Sequence, residues 1–171
     1  MLQKLDKKTQ PGLISITIDL ELGVMIDQQT WMPQEKFLPN QFDFDRISVT
    51  AVLDNTVCTV TPGTEKLIQF TDSAELTYHE LSLTVSGFDD HCHQFVAPLG
   101  DCAVMVWLKD VRIENLGVMQ LVQEQAKGTD CNHQTFVPSE YQGINGTWRL
   151  EFYCPIYQWL LENHKHQHFY S

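Results

Sequence analysis

The sequence predicts a mainly β protein: an antiparallel β-sandwich or jelly-roll-like fold with two short helices, one of them C-terminal. Three observations carry this expectation. Apolar and polar residues alternate over many short stretches, turn residues separate those stretches, and only two segments space their apolar residues at helical intervals. At 171 residues the chain is long enough to bury a core without disulfide staples, and it reads as one domain over residues 1–171. Apolar residues make up 43% and charged residues 19%, the balance of a folded chain, with some surface expected to be covered by a partner.

The elements follow in order. After Pro11-Gly12, LISITIDLEL puts Ile14, Ile16, Ile18, Leu20 and Leu22 on one face of a half-buried strand. Residues 23–45, with Pro33 and Pro39 and no sustained period, read as a long irregular connection of the kind that often carries binding. RISVTAVLD and TVCTVT, joined at Asp54-Asn55, predict a hairpin. Pro62-Gly63 marks a turn, and KLIQFTD predicts a further strand. In AELTYHELSLTVSGF, Leu76 and Tyr78 fall on one phase and Leu81, Leu83 and Val85 on the other, which calls for a bulge near His79 or Glu80. DDHCHQFVAPLGD reads as a loop, and AVMVWLKDVRIENL as a long strand or a bent pair.

LGVMQLVQEQAKG spaces Val118, Leu121, Val122 and Gln125 as a helix does, with Gly128 at the C-terminal cap position. In GINGTWRLEFYCPIYQWLLENH, Asn145-Gly146 reads as a turn with positive φ, and Trp148, Leu150 and Phe152 alternate as on a strand. Pro155 then sits in a first helical turn, followed by Ile156, Trp159 and Leu160 at i, i+3 and i+4, so the junction is expected to pack a terminal helix on the core.

Charge excludes two partner classes. Eleven Lys and Arg against twenty-two Asp and Glu give a net charge of −11, a field that repels nucleic-acid phosphates and anionic membrane headgroups. The segment 13–22 is too polar for a secretory signal and no stretch approaches the roughly 20 apolar residues of a membrane span, so a soluble protein made in the cytoplasm is expected. Five cysteines without a CxxC pair argue against a disulfide framework.

Four constellations bear on chemistry. Asp89, Asp90, His91 and His93, with Cys131 and His133 further on, supply zinc-ligand types, because imidazoles two apart on a strand point the same way. Asp72, Asp89, Asp90 and Asp101 supply oxygen ligands for calcium, although solvated loop groups explain both sets as well. His164, His166 and His168 read as a fraying terminus. Of the aromatic set Trp31, Trp107, Trp148, Tyr153, Tyr157 and Trp159, the residues Trp31, Tyr153 and Tyr157 are the surface candidates for stacking on a sugar. No cofactor is expected beyond those metals, and GxSxG and phosphate-loop patterns are missing.

HELSLTVSGFDDH, VRIENL and INGTWRLEFYCPIYQWLLEN together resemble the uncharacterised small β-sandwich proteins encoded by tailed bacteriophages, particularly those of marine and cyanobacterial hosts. The resemblance covers roughly the C-terminal half and brings no catalytic residues. It implies a virion component (capsid decoration, neck or tail) or a host-surface binding module. The expected function is therefore non-enzymatic: a structural or assembly protein in a homo- or hetero-oligomer, working through protein contacts. The alternatives are a carbohydrate-binding sandwich, with or without calcium, and a zinc enzyme using His91, His93 and His133.

Overall fold

The computed structural model describes residues 13–38, 40–73 and 78–170, with the side chains of residues 73 and 164–170 outside the description. The strands are β1 (Leu13–Ile26), β2 (Thr30–Pro33), β3 (Ser48–Leu53), β4 (Thr56–Val60), β5 (Leu67–Ser73), β6 (Tyr78–Ser86) and β7 (His93–Val96). They continue as β8 (Gly100–Ile113), β9 (Leu116–Gly117), β10 (Lys127–Asp130), β11 (Thr135–Phe136), β12 (Tyr141–Gln142) and β13 (Gly146–Tyr153). Helix α1 spans Met119–Gln125 and α2 spans Ile156–Tyr170.

All pairings are antiparallel, and two sheets result, as the alternating pattern requires. The seven-stranded sheet runs β12-β8-β1-β2, with β5 also on β1 and with β7 and β9 also on β8. The six-stranded sheet runs β11-β10-β13-β6-β3-β4. Their inner faces form one core: Ile16, Ile18, Leu22 and Val106 from the first sheet meet Val49, Leu81, Leu83 and Trp148 from the second, all at most 2% exposed.

Several expectations change. The connection at 23–45 begins four residues too early, because β1 runs to Ile26 and Asp27 and Gln28, at φ 52° and 62°, turn it into β2. Gly23 and Met25 interrupt the polar outer row and hide the strand from a periodicity count. The remainder holds two short 3₁₀ turns, Gln34–Lys36 and Phe44–Arg46, and its Phe42 and Phe44 are buried in the core.

The expected bulge near His79 is not there. β6 pairs with β13 in unbroken register from Val85 to Tyr78, so His79 shares the buried phase of Leu81 and Leu83 while Tyr78 is 72% exposed. Leu76 lies outside the described residues. The register shift falls instead in the long strand, where Asp19 and Leu20 of β1 face Asp110 and Leu108 of β8, leaving Lys109 as the extra residue. The loop expected at 89–101 contains a 3₁₀ turn and then β7, which forms a hairpin with β8. Gly128 is a strand residue in β10 and not a helix cap: a Cβ there would lie 2.6 Å from the Phe136 ring. Asn145 is not among the described residues with positive φ; its amide accepts from Phe88 N and donates to Phe88 O, both at 2.9 Å.

The junction at Cys154-Pro155 packs on the core, with two differences from the expected details: Leu160 is only partly buried, and Pro155 precedes the helix instead of lying in its first turn. Trp148, Leu150, Phe152, Ile156 and Trp159 are each at most 4% exposed, Phe152 and Trp159 meet edge to face at 6.0 Å, and α2 starts at Ile156 with Pro155 O accepting from Gln158 N and Trp159 N.

Candidate functional site

The densest array of partly exposed rings lies on the outer face of the seven-stranded sheet. Trp107 of β8 stands opposite Glu21 of β1 and opposite Tyr141 of β12, so three strands bring these side chains into one row. Trp31 of β2 stands opposite Met25, four residues along β1 from Glu21. Gly23 lies between, and its missing side chain lets the Trp31 ring cross β1: a Cβ on Gly23 would meet Trp31 Cζ2 at 2.6 Å and the Met32 carbonyl oxygen more closely still.

The rings then meet. Trp31 lies 5.9 Å from Trp107 at 67° and 5.1 Å from Tyr141 at 46°, while Trp107 and Tyr141 are nearly parallel, 22° apart at 5.7 Å. Such pairs are worth about 0.5–1.5 kcal/mol each beyond the area they bury. Polar groups fix the orientations. Trp31 Nε1–H donates to Glu21 Oε1 at 2.7 Å, Lys109 Nζ lies 3.5 Å from Glu21 Oε2, and the same ammonium sits 5.1 Å over the Trp107 ring. Burial, with help from Glu140 and Glu21, pushes the Tyr141 hydroxyl above its ordinary pKa. The Trp107 indole N–H is buried and meets no acceptor among the described residues. Met25 and Met105, also partly buried, continue the patch along the same face.

The three sugar-stacking candidates from the sequence do not converge. Trp31 belongs to this array, whereas Tyr153 lies on the outer face of the other sheet against Tyr78, 5.7 Å away, and Tyr157 stands 60% exposed on α2. The partners of Trp31 are Trp107, which belongs to the aromatic set but not to the surface candidates drawn from it, and Tyr141, which the sequence reading did not name. Trp107 sits on the outward phase of β8 with Ala103, Met105 and Lys109, and Tyr141 lies in a two-residue strand that no periodicity detects.

The metal-ligand candidates are dispersed. Asp89 caps the 3₁₀ turn by accepting from His91 N at 2.9 Å and pairs with Arg46. Asp90 and His91 lie in that turn, His93 opens β7 with Nε2 3.0 Å from Asp101 Oδ1, and His133 occupies the β10–β11 turn at φ 64°. Asp72 lies on β5. His91 and His93 thus do not share a strand face, and among the described residues no three His, Cys, Asp or Glu side chains converge as metal ligands.

His79 is fully buried, with Nδ1 2.6 Å from Asp54 Oδ2 and its ring 5.5 Å from Phe152. Asp54 Oδ1 also accepts from Glu80 N at 3.2 Å, so the pair ties the β3–β4 turn to β6. The thiols of Cys92, Cys102 and Cys154 are pushed above their ordinary pKa, chiefly by burial, the opposite of an activated nucleophile. No helix among the described residues is long and apolar enough to cross a membrane. In comparisons with known proteins, no family model, no curated protein and no solved structure matches this chain.

Proposed function

We propose that this chain is a non-enzymatic binding and assembly protein, a component of a tailed-phage particle, that works by surface contact. The observation that carries the binding role is the ring array of Trp31, Trp107 and Tyr141 on an outer sheet face, where a sandwich ordinarily presents polar residues. Its rings are held in place before any partner arrives, which lowers the ordering cost of binding. The particle role rests on the resemblance of residues 79–91, 111–116 and 144–163, which supply the central strands β6 and β13, the end of β8 and the start of α2.

Peptide mass spectrometry of purified particles from a phage encoding the chain tests the proposal. A fixed copy number relative to the major capsid protein is the expected result. Absence from particles, with the protein found only free in the infected cell, removes the virion assignment. Retention of Trp107→Ala and Tyr141→Ala protein at wild-type level in every binding assay would remove the role given to the face.

A further inference from the structure

We infer that the occupant of the Trp31–Trp107–Tyr141 face is a neutral oligosaccharide, one pyranose lying against the ring cluster and its hydroxyls reaching Glu21, Lys109 and the Tyr141 hydroxyl. The inference rests on reading that face as the contact surface and names its ligand class. A pyranose is itself two-sided, with a face of C–H bonds and an equatorial rim of hydroxyls. The site has the same division at the same scale.

The rings supply the apolar part as one compact cluster, their centroids forming a triangle with sides of 5.1, 5.7 and 5.9 Å, a patch on the scale of a single pyranose. Acceptors and donors stand at their edges and not beyond a broad apolar margin: the Glu21 carboxylate holds both the Trp31 indole and the Lys109 ammonium. A protein interface of stable size needs about 800 Å² on each partner with an apolar centre. Here the Glu21–Lys109 pair stands directly against the rings, and it suits hydroxyls that both donate and accept.

Charge narrows the class. A net charge of −11 opposes sulfated or uronic-acid glycans, and the one ammonium over the rings is already matched by Glu21. The ligand is therefore uncharged. Because no ligand in this reading reaches the dispersed Asp and His residues of 89–93 and 133, binding is also independent of calcium and zinc.

Native electrophoresis through gels containing a soluble polysaccharide provides the test. The panel holds neutral xyloglucan, glucomannan, galactomannan and mixed-linkage β-glucan, and anionic alginate and heparin, each with and without EDTA. Retardation by at least one neutral polysaccharide, unchanged by EDTA, is expected, with affinity falling about tenfold in Trp107→Ala and in Tyr141→Ala. Tyr141→Phe keeps the ring and loses only the hydroxyl contact, so its affinity should fall about threefold, less than in the alanine variant. Quenching or a blue shift of wild-type tryptophan emission on adding the retarding polysaccharide keeps the test decisive should an alanine variant fail to fold. Silence across all neutral members with unchanged emission overturns the inference, as does a preference for alginate or heparin. If the gels are silent while folded Trp107→Ala protein is lost from particles, the face binds protein: the contact-surface reading survives and the glycan inference falls. If a glycan binds equally to both alanine variants, both fall.

Discussion

The two outer faces of this sandwich carry opposite chemistry over one interior. On the six-stranded sheet, Thr59, Thr50, Thr84, Thr147, Thr129 and Thr135 stand opposite one another in a row that crosses every strand. The face bonds to itself: Thr50 and Thr59 hydroxyls are 3.0 Å apart, Thr84 and Thr147 2.7 Å, and Ser48 and Ser86 2.8 Å. β-branched hydroxyls of this kind favour strands and pair across them, which serves the sheet alone. On the seven-stranded sheet the equivalent positions hold Trp31, Trp107, Tyr141, Met25 and Met105, more apolar area than an outer face needs for folding. The difference teaches where to look for function: both inner faces are dictated by the core, so only the outer faces were free to diverge.

The comparison breaks first if the interior is not shared. Trp159→Ala removes a ring that is 4% exposed and packed on Phe152, and should cost about 3–5 kcal/mol, whereas Tyr157→Ala, 60% exposed, should leave the melting temperature almost unchanged. Equal melting of the two variants would show α2 to be a detachable arm and not a lid on the core.

Beneath the threonine face, Asp54→Ala would leave His79 Nδ1 buried without its partner, at a cost of about 1–3 kcal/mol. Asp54→Asn keeps an acceptor and tolerates the φ of 53°, so it should recover most of that stability in a denaturant titration. Failure of the asparagine to recover would assign the effect to charge.

The next test contrasts the faces directly. Gly23→Ala forces a methyl group into the Trp31 ring and the Met32 carbonyl, and should cost about 1–3 kcal/mol and change tryptophan emission. Thr147→Ala removes one hydroxyl from the opposite row and should cost only about 0.2–1 kcal/mol, with emission unaltered. Similar losses for both would mean that the ring array is as much a stabilising ladder as the threonines.

The smallest effect concerns the pair at the edge of the irregular connection, Glu35 and Lys66, 2.8 Å apart with both side chains about half exposed. The hydrogen bond with Lys66 lowers the Glu35 pKa from 4.5, so its contribution is present above that value and is lost as pH falls through the lowered one. The bond to Glu35 raises the Lys66 pKa from 10.5, so that contribution is present below 10.5 and is lost as pH rises through the raised one. Between those limits Lys66→Ala should cost less than about 1 kcal/mol, and less again in high salt, as read by melts at pH 7. A larger loss would give this connection a structural weight close to that of the ring array.

Alternation alone made much of this legible. Ile14 to Leu22, the hairpin around Asp54, the strand 67–73 and the Trp148-to-Trp159 junction all follow from local period and turn chemistry. The failures have one kind of cause. Gly23 and Met25 looked like the end of a strand because the residues that justify them, Trp31 and Met105, come from other strands. His79 looked like a phase slip because an imidazole in a core row makes sense only with Asp54 beside it, 25 residues away. Asn145 looked like a turn former and is a clamp on Phe88, 57 residues distant.

By itself the sequence determined which residues face inward, because period two is a local property of the backbone and burial follows it. It also determined the charge that turns phosphates away. Only the tertiary structure decided which outward residues share a face. Register between strands far apart in the chain sets Trp107 beside Tyr141, 34 positions along. A site is made of such long-range neighbours, and no local pattern encodes them.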